Sequence, residues 1–164
     1  MKKEKLGKLI LENKETMYRV AKTLLYNDAD CADAIQEAIA KAFSKIYTLQ
    51  QDKYAKTWLI RILMNECYTI MRSEKRIVSL EAYKQTVLDE MAEDKKDYSE
   101  LYEAVYRLPE QAKIAVLLYY IEGYSVKEIA KLQKCTESAV KNRLLRARAQ
   151  IKQELEQEGL SEWN

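Results

Sequence analysis

The sequence contains no histidine, and it has only three glycines and one proline among 164 residues. Without histidine it lacks the most common general base and the most common metal ligand of proteins. It also shows no glycine-rich phosphate loop and no paired arrangement of catalytic carboxylates. These absences argue against an enzyme, a metal site and an organic cofactor. The shortage of glycine and proline, together with 33% charged residues, predicts an all-α protein.

Cysteines are few, and long apolar runs are missing. Cys31, Cys67 and Cys135 are widely spaced and form no CxxC pair, so we expect reduced thiols in partly buried positions. No apolar run approaches the roughly 18 residues that can cross a bilayer. The first ten residues lack the apolar core of a signal peptide. The sequence therefore predicts a cytoplasmic protein that is not itself a membrane protein.

Charge is unevenly distributed although the net charge is only +2. Residues 28–37 include four acidic residues and no basic one, whereas residues 53–76 include six basic and two acidic residues. A uniformly basic coat for nucleic acid is excluded by this balance. The distribution instead predicts one acidic and one basic surface in the same half of the chain. The alternative is that both are ordinary solvated faces of helices.

Three amphipathic helices are predicted in the first 78 residues. The first ends before Tyr26, the second runs from Ala29 to about Tyr47, and the third runs from about Tyr54 to Ser73. The apolar positions of the second helix include small and large residues: Ala34, Ile35, Ala38, Ile39, Ala42, Phe43 and Ile46. Helices of this length can close a small bundle, which we assign to a first domain, residues 1–78.

Residues 79–100 differ from the segments on either side. They contain seven acidic residues and three lysines with scattered apolar positions, a composition that favours a linker. If extended, 22 residues span about 70 to 80 Å at ~3.3 to 3.6 Å each. The second domain, residues 101–164, then begins near Leu101, and its main helix, predicted at 111–121, opens after Pro109.

Residues 124–151 have the pattern of a helix-turn-helix. Ser125 and Glu128 form a capping box at the start of a short helix. A polar stretch follows, and Thr136 is a second N-cap before a longer helix. On the longer helix one stripe is apolar at helical spacing: Val140, Leu144, Ala147, Ile151 and Leu155.

The opposite face of this longer helix is polar and basic. Residues 137–155 include five basic and two acidic residues, an excess that suits a helix lying between phosphate strands. The alternative is an amphipathic surface helix with a solvated charged face. The helix alone does not decide between DNA binding and this simpler role.

Aromatic and basic residues are also combined at the start of the third helix. Tyr54 and Trp58 lie one helical turn apart, beside Lys53, Lys56 and Arg61. Flat rings with neighbouring cations suit the unstacked bases and the backbone of a single strand. For Trp58 taken by itself, packing in the core is the more common role.

Several motifs, in order, resemble a known family, the extracytoplasmic-function (ECF) sigma factors, which keep only regions 2 and 4 of the sigma-70 family. The first domain has segments similar to the family's DAEDLVQE...AW, its TWLYRIAxN and the basic end that follows: DCADAIQE at 30–37 followed by AF, TWLIRILMN at 57–65, and RSEKR at 72–76. The second domain has segments similar to the family's LPxxxR, EGxS, EIA and TVKSRLxRAR: LPE, EGYS, EIA and VKNRLLRAR. The resemblance covers roughly residues 10–78 and 101–155, and implies two small helical domains.

The resemblance also implies a function for each surface. The chain would bind bacterial core RNA polymerase, direct it to specific promoters through the −35 and −10 elements, and aid promoter melting. The residues expected to bind the clamp helices of the polymerase largest subunit are Asp30, Asp33, Gln36 and Glu37. The residues expected at the −10 element, beside the loop at 49–53, are Lys53, Tyr54, Trp58, Arg61, Asn65, Arg72, Lys75 and Arg76. Those expected at the −35 element are Ser138, Lys141, Asn142, Arg143, Leu145 and Arg146.

Two alternatives and one departure accompany this interpretation. A helix-turn-helix regulator that binds DNA without polymerase would leave the acidic DCADAIQE segment unexplained, and a helical adaptor that binds only protein would leave the basic helix unexplained. The family also suggests an anti-sigma factor as a further partner. Its usual LG in the turn is Gln133-Lys134 here, so a left-handed Lys134 would cost about 1 to 2 kcal/mol.

Overall fold

The computed structural model describes residues 1–73 and 99–157, and these residues form helices and short connections. The all-α prediction is confirmed. The chain divides into two compact units, Met1–Arg76 and Ile77–Asn164. Lys75, Arg76 and most of the predicted linker lie outside the described residues. No helix in the described part is both long enough and apolar enough to cross a membrane.

The first unit contains four α-helices and two short 3-10 turns. They are α1 (Lys3–Glu12), α2 (Lys14–Leu25), α3 (Asp28–Ser44) and α4 (Ala55–Ser73), with 3-10 turns at Ile46–Thr48 and Asp52–Tyr54. α3 packs against α4, and α2 packs against both, while α1 contacts α2 and α3. The predicted three-helix bundle is present, with α1 added to it.

The single opening helix that we predicted is wrong, because Asn13 interrupts it. Asn13 lies between α1 and α2 with φ −112° and ψ 15°, and its buried side-chain amide donates a 2.8 Å hydrogen bond to the Leu9 carbonyl. Asparagine side chains compete with the backbone for such carbonyls, which favours a break in the helix. The apolar spacing continues through the break and therefore does not reveal it.

Small residues form the face of α3 that enters the core. Cys31, Ala34, Ala38 and Ala42 are fully buried, whereas Ile35, Ile39 and Phe43 are only half-buried. The sequence pattern grouped these small and large apolar residues together and did not show which of them enter the core. Short side chains allow the backbones of α3 and α4 to approach closely, and the larger α4 residues Leu59, Leu63 and Met64 then fill the core.

An ion pair between a buried carboxylate and a partly exposed lysine joins α3 to α4. Glu66 of α4 is 8% exposed and pairs with Lys41 of α3. The hydrogen bond that Lys41 Nζ donates to the Glu66 carboxylate raises the pKa of Lys41 above its ordinary value. Since an unpaired carboxylate at this depth would be costly, the pair restricts the rotation of α3 on α4. It thereby holds the outer faces of the two helices in a defined relation.

The second unit is built around one long helix. Over residues 99–157, its α-helices are α5 (Ser99–Tyr106), α6 (Glu110–Val116), α7 (Val126–Gln133) and α8 (Glu137–Gln157), and a π-helical turn, Leu117–Ile121, continues α6. α5 begins two residues before the predicted start near Leu101. α5, α6 and α7 each pack on α8, and all five residues of its predicted apolar stripe are buried.

Both predicted caps of the helix-turn-helix are present. At α7, Ser125 accepts a hydrogen bond from the Glu128 amide, and Glu128 accepts one from the Ser125 amide, so the capping box is complete. At α8, Thr136 Oγ1 accepts a 3.1 Å hydrogen bond from the Ala139 amide. The sequence left the geometry of the Gln133-Lys134 turn open, and in the structure Lys134 adopts the left-handed conformation, with a φ of 56° and a ψ of 48°.

We expect Lys134→Gly to stabilise the second unit by about 1 kcal/mol, because glycine adopts positive φ without the steric cost that lysine bears. Urea denaturation of the full chain followed by circular dichroism measures the change. Lys141→Gly, at an exposed position within α8, is the control and should instead destabilise by about 1 kcal/mol. Equal losses in both variants would contradict the strain at Lys134.

The cysteines should differ sharply in reactivity. Cys31 and Cys67 are fully buried, and Cys135 is half-buried. Burial raises the pKa of Cys67 to about 12, so this thiol stays protonated at pH 8, where the reactive thiolate is needed. We expect iodoacetamide to modify Cys135 in the native protein, and Cys31 and Cys67 only after unfolding, as mass spectrometry will show. Native modification of Cys67 would refute the buried position.

Candidate functional site

The acidic surface predicted in the first unit lies on the outer face of α3. Asn27 caps this helix by accepting a 3.2 Å hydrogen bond from the Asp30 amide. Asp33, Gln36 and Glu37 are exposed, and Asp30 is half-buried. With spacings of three, four and seven residues, these side chains share one face of the helix. That face is opposite the alanine stripe in the core.

The aromatic and basic residues of the predicted single-strand surface lie along one side of α4 and the turn before it. Tyr54 is 48% exposed, and the Lys53 ammonium lies 5.0 Å from the centre of its ring. Farther along α4, exposed side chains follow at helical spacing: Arg61, Asn65 and Arg72. Trp58 is half-buried, so it is neither a full core residue nor freely exposed.

The loop between α3 and α4 is held at both ends. Trp58 Nε1 donates a 3.3 Å hydrogen bond to Thr48 Oγ1, and Lys5 Nζ of α1 donates a 2.9 Å hydrogen bond to Asp52 Oδ2. The hydrogen bond from Lys5 keeps the pKa of Asp52 below its ordinary value. Sequence analysis missed Lys5 and Asp52, because they are 47 positions apart and no local pattern connects them.

The outer face of α8 presents the residues predicted to read a duplex. Ser138, Lys141, Asn142 and Arg146 are exposed, and Leu145 is 65% exposed. The buried stripe fixes their direction, since residues between apolar positions must point outward. Amide and guanidinium groups in this arrangement match the hydrogen-bonding edges of bases in a major groove.

Arg143 differs from its neighbours on α8. It is half-buried, and its Nη1 donates hydrogen bonds to Gln133 Oε1 at 2.9 Å and to Cys135 Sγ at 3.3 Å. The side chain is thus engaged with the turn of the helix-turn-helix. We predicted Arg143 among the −35 residues because it lies among the basic residues 141–148 of α8.

Three lysines missed by the sequence analysis line a cleft beside the start of α8. Lys127, Lys131 and Lys134 are exposed and, together with Thr136, border the cleft. Their spacing of four and three residues places the first two on one side of α7 and the third at its end. This spacing is the feature of the sequence from which the group could have been predicted. Such a group can bind phosphate oxygens next to the outer face of α8.

The described residues contain no group of three or more cysteine and carboxylate side chains placed to hold a metal ion. The first unit combines an acidic face with an aromatic and basic face, whereas the second carries a basic helix-turn-helix.

Family models match both units. Residues 9–77 match sigma-70 region 2, and residues 98–151 match sigma-70 region 4. The region 2 match accounts for the half of the chain that a free-standing helix-turn-helix regulator would leave unexplained.

Among curated proteins, the RNA polymerase sigma factor SigV of Bacillus subtilis is 30% identical over 98% of this chain and 100% of its own length. The ECF RNA polymerase sigma-E factor of Escherichia coli K12 is 29% identical over 74% of this chain and 72% of its own length.

Solved structures agree in fold. The sigma factor RpoE of Bartonella quintana, in complex with the anti-sigma factor NepR, matches with a TM-score of 0.73 at 20% identity, over 93% of this chain and 98% of that one. CnrH, in complex with the cytosolic domain of CnrY, matches with a TM-score of 0.72 at 21% identity, over 94% and 90% of the two chains. With regions 2 and 4 present and a 30% identical relative aligned end to end, the chain belongs to the sigma-70 family as an ECF RNA polymerase sigma factor.

Proposed function

We propose that this sigma factor binds core RNA polymerase through the outer face of α3 and directs it to promoters through α4 and α8. One observation carries the proposal: three exposed faces of different chemistry each lie on a different helix, opposite a buried stripe. On α3 the face consists of Asp30, Asp33, Gln36 and Glu37. Its expected partner is the basic clamp helices of the polymerase largest subunit, and opposite charge favours rapid, oriented docking.

At the −10 element, the loop at 49–53 and the outer side of α4 would bind the non-template strand. Tyr54 and Trp58 supply flat rings for unstacked bases, and Lys53 and Arg61 supply positive charge for the backbone. Asn65 is available to hydrogen-bond a base edge. Capturing an unpaired base in this way offsets the few kcal/mol that unstacking costs. Arg72, Lys75 and Arg76 would contact the phosphates of the duplex just upstream.

At the −35 element, α8 would enter the major groove. Lys141 or Arg146 can donate to guanine and Asn142 can pair with adenine, each contributing roughly 1 to 3 kcal/mol of discrimination. Ser138 and Leu145 complete the exposed face. Lys127, Lys131 and Lys134 support this placement because they can neutralise the phosphates that border the groove.

The partners and location follow from this role. Because a sigma factor acts with core polymerase on promoter DNA, the protein would function in the cytoplasm. The similar solved structure from Bartonella quintana is a complex of a sigma factor with an anti-sigma factor, so an anti-sigma factor is proposed here as well. The chain itself would catalyse no reaction, and the domain boundaries at residues 78 and 100 would separate polymerase and −10 binding from −35 binding.

Asp33→Ala and Arg146→Ala should have opposite effects. Asp33→Ala removes one exposed charge of the α3 face and should weaken binding to bacterial core polymerase about three- to tenfold. Arg146→Ala should leave that affinity unchanged but lower selectivity for the preferred −35 sequence about five- to 150-fold. Fluorescence titration measures core binding, and selection of duplexes from a randomised pool by the holoenzyme measures selectivity.

Each variant is the control for the other in this pair of measurements. An unchanged core affinity in Asp33→Ala would refute the assignment of the α3 face. A loss of core affinity in Arg146→Ala that matches its loss of selectivity would refute the assignment of α8 to the −35 element.

The two kinds of contact on the −10 surface should be separable by salt. Tyr54→Leu removes a stacking ring and should weaken holoenzyme binding to an exposed non-template strand by about 1 to 3 kcal/mol, with the salt dependence unchanged. Lys53→Met should instead reduce the slope of log K against log salt by about 0.7, the value for one phosphate contact on a single strand. A fork-shaped promoter duplex with a single-stranded −10 segment is the probe. Identical behaviour of the two variants would contradict these roles.

A further inference from the structure

Gln133 connects three elements of the second unit. Its Nε2 donates a 2.8 Å hydrogen bond to the main-chain carbonyl of Gln111 in α6, and a 3.3 Å one to the Gln111 side-chain oxygen. Its Oε1 accepts the 2.9 Å hydrogen bond from Arg143 Nη1 of α8. Only one orientation of the amide can donate to a carbonyl and also accept from a guanidinium, so the chemistry determines which end faces which partner.

Arg143 extends this connection to the turn. The same Nη1 also donates a 3.3 Å hydrogen bond to Cys135 Sγ, one residue before the Thr136 cap of α8. One guanidinium thus spans from the second turn of α8 back to the last residue of α7 and to the turn between them. The three hydrogen-bonding side chains, Gln111, Gln133 and Arg143, are all half-buried, which shields their hydrogen bonds from competing water.

The turn needs such support because it has no glycine. Lys134 occupies a left-handed conformation at φ 56°, which is unfavourable for any side chain with a Cβ. Strained positions of this kind persist where the surrounding structure holds them in place. The hydrogen bonds of Gln133 and Arg143 lie on either side of Lys134 in sequence and link it to α6 and α8.

We propose that Gln133 and Arg143 are positioning residues that set the direction of α8 against α6 and α7, and that Arg143 does not itself contact DNA. The inference rests on the proposed function of α8 at the −35 element. It assigns the basic run on α8 two different roles. Lys141 and Arg146, which are exposed, bind DNA, whereas Arg143 holds them in register with the groove.

Salt dependence distinguishes a positioning arginine from one that binds phosphate. Each phosphate contact adds about 0.9 to the slope of log K against log salt on a duplex. A residue that only orients the helix changes affinity without changing this count. Methionine is the suitable replacement, because it keeps an apolar stem and removes the hydrogen-bonding group.

The experiment uses the full chain bound to core polymerase, and a −35 duplex selected by the wild-type holoenzyme from a randomised pool. We compare Gln133→Met, Arg143→Met, the double variant and the control Lys127→Met, which removes an exposed lysine proposed to neutralise a phosphate, after circular dichroism confirms equal helix content. Gln133→Met and Arg143→Met should each lower the preference for the selected duplex over a scrambled one about 5- to 20-fold, and the double variant should lose no more than the more affected of the two single variants. The slope should stay constant in both single variants, but fall by about 0.9 in Lys127→Met.

Three results would overturn the inference. A slope reduced by about 0.9 in Arg143→Met would make it a phosphate contact. Losses that multiply in the double variant would show that the two residues act independently, and unchanged preference in both single variants would show that neither positions α8. If the wild-type holoenzyme selected no sequence, or Lys127→Met bound and responded to salt as the wild type does, the proposed binding of DNA by the helix-turn-helix would fail instead.

Discussion

The functional surfaces of both units depend on the burial of one apolar stripe on each helix. On α8 the stripe from Val140 to Leu155 faces α5, α6 and α7, and burying each large aliphatic side chain of this kind contributes roughly 1.5 to 3 kcal/mol. A helix held by one stripe presents a fixed opposite face. The exposed positions of Lys141, Asn142 and Arg146 are therefore a consequence of the core, and the same is true of Asp33 and Glu37 on α3.

Polar contacts further restrict the helix orientations that the apolar stripes set. A stripe of small residues such as Ala34, Ala38 and Ala42 leaves some freedom for α3 to slide or rotate on α4. The Lys41–Glu66 pair limits that freedom, since separating the pair would leave the Glu66 carboxylate buried without its partner. In the second unit the Gln133 amide has the same effect, at a turn where the backbone conformation is itself unfavourable.

Local patterns in the sequence predicted a large part of this structure. The capping box at Ser125 and Glu128, the Thr136 cap and the buried stripe of α8 involve residues within one or a few helical turns, so their spacing determines their contacts. Predictions failed where two local signals at neighbouring positions favour different structures. At Asn13 a side-chain hydrogen bond breaks a helix whose apolar spacing is continuous, and on α3 small and large apolar residues at adjacent positions did not reveal which of them enter the core.

The sequence by itself determined the all-α fold, the starts of α7 and α8, the membership in the ECF sigma factors and the direction of most charged side chains. Only the tertiary structure decided that Lys5 holds Asp52, that Trp58 is hydrogen-bonded to Thr48, and that Arg143 is directed to the turn. The physical reason is distance along the chain. A helical face repeats every few residues and leaves a periodic signal, whereas a hydrogen bond between side chains 10, 22 or 47 positions apart forms only after packing brings the two groups together.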